Sequence, residues 1–154
     1  MKNLLIRKIR DTSLILFLIF YIATASGLDN PDAPDYVNEF LSQINKYEEK
    51  LAQGSYGTQD YIHAYAEYEK FLDEELNRAY SLLVRSLGGD SREALKKSQR
   101  KWLSYRDAEF EFIALNWNRQ AFGSSSVISK GNYRTTIIKN RVISLFYYLK
   151  NYSQ

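Results

Sequence analysis

Few residues in this chain are able to do covalent or acid–base chemistry. There is one histidine, His63, and no cysteine. His63 and Glu67 stand four apart, on one side of a helix, and could share a metal ion. Two ligands without a third make a poor site, so neither a metal nor a cofactor is expected. Carboxylates cluster at Glu48-Glu49, at Asp73-Glu74-Glu75 and at Glu109/Glu111. A glycosidase needs two carboxyl groups held across the scissile bond, whereas adjacent acids on a helix point to a solvated face. No G-x-S-x-G or H-E-x-x-H spacing occurs. The expectation is therefore that the chain is not an enzyme.

The unusual stretch is Gln99 to Asp107, Q-R-K-W-L-S-Y-R-D. Gln99, Trp102 and Arg106 follow helical spacing and share one stripe, which Leu95 extends by a turn. If that stripe is buried, its amide and guanidinium must find partners. An unpaired buried polar group costs about 1–3 kcal/mol and a charge more. Around it, Lys96-Lys97 and Arg100-Lys101 make a local basic face, read as solvated, with contact to an anionic surface polymer as the sharper alternative. Gly88-Gly89-Asp90 opens a helix but lacks a phosphate-loop lysine, so it reads as a simple turn.

Four helices must position these residues, and no strand-like alternation competes with them. Val37, Phe40, Leu41, Ile44, Tyr47 and Leu51 predict an amphipathic helix over Asp35–Ala52, ended by Gly54. Thr58 is the expected N-cap of a long second helix running to Leu87, with Ile62, Tyr65, Leu72, Leu76, Tyr80, Leu83 and Leu87 on its apolar face. Asp90 with Glu93 fits a capping box for a third helix that runs to Phe122 and stops at Gly123. A fourth begins between Ser126 and Asn132, where Gly131 sits awkwardly, with Tyr133, Ile137, Arg141, Leu145 and either Tyr148 or Leu149 on one face. In Phe146-Tyr147-Tyr148-Leu149 and Tyr152, core is expected over interface, with the first helix as cover. The fold class is all-α: a small helical bundle centred on a long antiparallel pair, Thr58–Leu87 and Ser91–Phe122. The Gly88-Gly89 turn sets a register that opposes Asp73 to Arg106, Asn77 to Trp102 and Tyr80 to Gln99. It predicts an inter-helical ladder in which Asp73 pairs with Arg106 and Tyr80 bonds or packs near Gln99, while Asp107 pairs with Arg141 or a neighbour.

The first 25 residues read as a signal peptide rather than as fold. Lys2, Arg7, Lys8 and Arg10 precede an apolar run, Leu14 to Ile22, and Ala23-Thr24-Ala25 supplies a cleavage pattern after Ala25. The run is short of the ~20 residues that a spanning helix needs. Without a cysteine there is no lipoprotein anchor. The remaining residues, 26–154, are expected to form one domain in the periplasm or outside the cell. The 21 Lys+Arg and 18 Asp+Glu of the whole chain include four bases and one acid in this leader. The mature part is thus formally neutral, which leaves no basic field to argue for nucleic acid. Export without cysteine means that packing alone holds the fold.

Taken together, Leu76-Asn77 with Tyr80, then Gln99, Trp102 and Arg106-Asp107, and finally Arg141 with Leu145 resemble the LprI-type lysozyme-inhibitor family. The resemblance covers roughly Thr58 to Leu149 and leaves Asp35–Ala52 outside. It implies a small exported helical domain that binds a protein and has no catalytic role. The motif residues Asp73, Asn77, Tyr80, Gln99, Trp102, Arg106, Asp107 and Arg141 are expected to be structural. The resemblance also implies cysteines at Tyr65, Phe110 and Tyr133, where this chain has three aromatic residues; buried rings would stand in for cross-links. A lysozyme is the implied partner, and an acidic patch of Glu67, Glu69, Asp73, Glu74 and Glu75 is the candidate contact for a basic one. The alternatives are an immunity protein that neutralises a delivered toxin, or a structural envelope protein without a discrete partner.

Overall fold

The computed structural model describes residues 34–54 and 57–152. The leader assigned to residues 1–25 lies outside them. Five helices follow in order: α1 (Tyr36–Ala52), α2 (Thr58–Ser86), α3 (Gly89–Asn116), the single turn α4 (Arg119–Phe122) and α5 (Ser125–Tyr152). The fold is all-α, as the periodicity predicts.

Local chemistry sets most helix ends. The Asp35 carboxylate caps α1 by accepting from the Asn38 N–H at 3.1 Å. For α2 the cap is Gly57, one residue before the expected Thr58. The Asp60 carboxylate reaches back to accept the Gly57 N–H at 3.0 Å, which draws Thr58 into the helix. The Asp90–Glu93 capping box does not form. The Gly88 carbonyl already accepts from Arg92, so the helix begins before Asp90, and Glu93 pairs instead with Lys96 at 2.7 Å. Gly89 adopts a positive φ of 46°, which favours glycine at this turn. The third helix ends at Asn116 rather than running to Phe122. Trp117 leaves helical geometry, and Asn118 then caps α4 through its side chain. Gly123, at φ 57°, ends α4 and not the third helix for which it was expected. α5 starts at Ser125, just ahead of the expected interval.

Cross-helix contacts fix the directions. Lys50–Glu67 and Glu39–Arg78 join opposite ends of α1 and α2, so these helices run antiparallel. Tyr65–Asn132, Glu69–Arg134 and Arg78 beside Phe146 advance together, so α2 and α5 run parallel. α3 is antiparallel to both, through Asp73–Arg106 and Gln99–Arg141. The closest helix pair is α2 with α5, not α2 with α3 as the short turn suggested. α1 fills one groove of that pair, and α3 lies over the other.

Gly131 explains this closeness. It lies two turns into α5, buried, and a Cβ there would overlap the Tyr65 ring. A glycine that looks out of place in a helix is what lets the ring enter between the backbones. The main core gathers Phe40 and Ile44 of α1, Leu72, Leu76, Ala79 and Leu83 of α2, Leu95 of α3, and Ile138, Val142, Leu145 and Phe146 of α5. On α5 the buried face is turned only in part from the predicted one, since Leu145 and, of the two residues offered for its end, Leu149 are buried. Ile138, Val142 and Leu149 are core, while Tyr133 and Tyr148 are exposed. On α2, Ile62 is exposed and the rest of the expected face is buried or half-buried. α1 covers Phe146 through a stacked ring contact from Tyr36 and a tilted one from Phe40. Phe146 and Leu149 are thus core, and Tyr147, Tyr148 and Tyr152 remain exposed.

Candidate functional site

The eight motif residues collect along α3 and the two grooves on either side of it. Toward α2, Asp73, Asn77 and Tyr80 face Gln99 and Arg106 across a groove of about 340 Å³. Toward α5, Trp102 and Arg141 line a second groove of about 240 Å³.

Gln99 is the hinge between the two sides. It is 7% exposed, and its Oε1 accepts from Arg141 Nε at 3.0 Å and from Nη2 at 2.9 Å. A buried amide oxygen is thereby satisfied by a charge, and the charge by a neutral acceptor. Burial pushes the Arg141 guanidinium below its ordinary range. The same guanidinium sits 5.8 Å from the Trp102 ring centre, and Arg106 sits 5.7 Å from it. Trp102 is therefore flanked by two cations.

The predicted Asp73–Arg106 pair is present at 3.8 Å. Arg106 holds Asp107 more closely, at 2.8 Å, so Asp107 pairs with its neighbour and not with Arg141. Burial raises the Asp73 carboxyl, and Arg106 and Arg134 oppose that rise. One pairing of the ladder differs from expectation. Trp102 turns to α5 instead of meeting Asn77, because the stripe it shares with Gln99 points between α2 and α5. Tyr80 lines one groove with Gln99, the packing form of its expected pairing, while the Gln99 oxygen is taken by Arg141.

One member of this seam was missed by sequence reasoning. Arg134 bonds Glu69 at 2.7 Å and lies 4.3 Å from the centre of the Phe110 ring, with its Nε buried and unpaired. Burial raises Glu69, and Arg134 pulls it back. The spacing Arg134 to Arg141, two turns apart on α5, was the signal available. Arg134, Phe110, Arg106, Trp102 and Arg141 alternate cation and ring down the α3–α5 seam.

A cleft of about 370 Å³ lies on the α1 side of the bundle, bordered by Tyr61, Tyr65 and Tyr68. Its charged and phenolic tips bond one another. Tyr68 and Lys139 both donate to Glu48 at 2.9 Å, and Tyr65 donates to Asn132 at 2.7 Å. Burial pushes the Tyr65 phenol up to about 12. His63 and Glu67 do not converge on a third ligand: His63 bonds Gln59, and Glu67 pairs with Lys50. Among the described residues no group of acids and histidine could hold a metal ion. No helix among them is long and apolar enough to cross a membrane.

Of the three positions where the resemblance implies cysteine, Tyr65 is a buried ring and Phe110 a half-buried one. Tyr133 is exposed and packs on Trp117 at 4.5 Å. The expected ring burial is thus found at the first position, partly at the second, and not at the third.

The fold and seam define a small all-α bundle whose third helix is held to the rest by paired cations, amides and rings. The chain belongs to the LprI lysozyme-inhibitor family. The model of that family, lysozyme inhibitor LprI, matches residues 49–145, more than half of the sequence. The match reaches from the last turn of α1 through most of α5, so it starts earlier than the expected Thr58 and leaves most of α1 outside. It is a family of inhibitors, which accords with a non-enzymatic role. Neither the comparison with curated proteins nor that with solved structures gives a match.

Proposed function

We propose that this chain is an exported binding protein that inhibits a lysozyme, with no catalysis of its own. The supporting observation is the family match across α2, α3 and most of α5. In this reading the motif residues are structural. Gln99, Trp102, Arg106 and Arg141 seat α3, Asp73 and Asp107 balance Arg106, and Asn77 and Tyr80 wall the groove beside it. The acidic stretch of α2 is a poor contact face for a basic enzyme. Glu67, Glu69 and Glu75 are each paired within the bundle, to Lys50, Arg134 and Arg78. Asp73 lies against Arg106. Only Glu74 of that set makes no ion pair or hydrogen bond among the described residues. The test is to titrate residues 26–154, tagged at the C-terminus, into a panel of lysozymes and follow cell-wall turnover. Saturable loss of turnover with at least one lysozyme is expected. Turnover unchanged across the panel at micromolar protein would remove the reading.

A further inference from the structure

α3 has an outward face that the bundle does not use. Its buried side carries Leu95, Gln99 and Ile113, while Tyr105, Phe112 and Leu115 are 51%, 53% and 68% exposed. Ala94, Lys97, Lys101, Ser104 and Ala108 are exposed on the same side. At about 100° per residue these positions form one continuous stripe. The stripe is polarised in two ways. From Gly89 to Lys101 the helix has five bases against the acids Asp90 and Glu93; from Trp102 to Asn116 it has Asp107, Glu109 and Glu111 against Arg106 alone. The large apolar residues lie in the acidic half, and the small Ala94 lies in the basic half.

A uniformly basic partner would attract one half of this face and repel the other. A second copy running the opposite way matches both. We propose that the outward face of α3 pairs with the same face of a second copy of this chain, antiparallel about a twofold axis near Ser104. That register sets Lys97 against Glu111 and Arg100 against Asp107, and it lays Leu115 over Ala94. Symmetry makes every contact twice. The acids are available for it. Glu111 makes no ion pair among the described residues, and both bonds from Arg106 to Asp107 fall on Oδ1, leaving Oδ2 for the partner. Charge pairs of this kind set partner and register more than raw affinity.

Light scattering on the full mature chain, with two charge-reversed variants, tests this. One variant carries Lys97→Glu with Arg100→Glu, the other Asp107→Lys with Glu111→Lys; circular dichroism confirms that each keeps its helix content. The expected result is a dimer at low salt that dissociates at molar salt, since screening weakens exposed pairs. Each variant alone is a monomer, and an equimolar mixture of the two restores the dimer. A wild type that stays monomeric, or variants that still dimerise, would overturn the proposal. So would a mixture that fails to pair. A monomeric wild type whose lysozyme inhibition is lost in the Asp107→Lys, Glu111→Lys variant would assign this face to the enzyme instead.

Discussion

Gly131 and Gln99 show how much one side chain can decide in this bundle. At Gly131 the Tyr65 ring occupies the space a methyl group would need, and the phenol is tied to Asn132. Gly131→Ala ordinarily helps a helix by up to about 1 kcal/mol. Here overpacking wins, and a net loss of about 1–3 kcal/mol is expected in denaturant unfolding. Restoring much of that loss with a second change, Tyr65→Leu, would identify the ring as the cause. Gln99→Leu keeps the volume but leaves Arg141 without its buried acceptor. A loss of about 2–3 kcal/mol is expected, while Ser98→Ala next to it changes little. Both residues were visible in the sequence, but in different ways. Gln99 stood on an apolar stripe, which forced the question of its partner. The partner itself was hidden, because Arg141 lies forty-two residues away and no local rule links the two.

At the scale of helices, Glu48 binds three of them together. From α1 it accepts from Tyr68 on α2 and from Lys139 on α5. Burial pushes its carboxyl up, but the bonds from Lys139 and Tyr68 outweigh that and hold it below its ordinary value of 4.5. A lowered carboxyl stabilises the fold while it is ionised in both states, and the gain disappears as the pH falls through the folded value. Wild type is therefore expected to exceed Glu48→Gln by about 0.5–1 kcal/mol at neutral pH, kept small by solvent screening. That difference should close below pH 4.5 in acid unfolding. A gap that persists unchanged into acid would mean the carboxylate does not clamp α1. Helix existence was legible from periodicity throughout. The ends were less so, because caps were chosen by competition: Asp60 drew Gly57 into the cap position, and Arg92 closed on Gly88 before Asp90 could act. The face of α5 was misjudged in part, because Arg141 turns to the polar seam while Leu145 and Leu149 of the same reading are core.

For the whole molecule, the all-α class followed from the sequence, while the central pair did not. The two-glycine turn made α2 and α3 look like partners. What decides the centre is small residues in register between helices far apart in the chain, and Gly131 beside Tyr65 is legible as such only once both backbones are placed. The lysozyme reading belongs to this scale as well. It draws on the bundle as a unit, since the family match spans α2, α3, α4 and most of α5.

The parallel α2–α5 pair carries a kinetic consequence. Tyr65 and Asn132 meet across sixty-seven positions, and Glu69 and Arg134 across sixty-five. As the chain emerges N-terminus first, α1 and α2 can close on each other at once, yet the face of α2 meant for α5 stays bare until nearly all of the chain has appeared. Loop closure over that distance must come before its contacts repay it. With no cysteine to trap a half-formed state, the last helix to arrive is the one that completes the core.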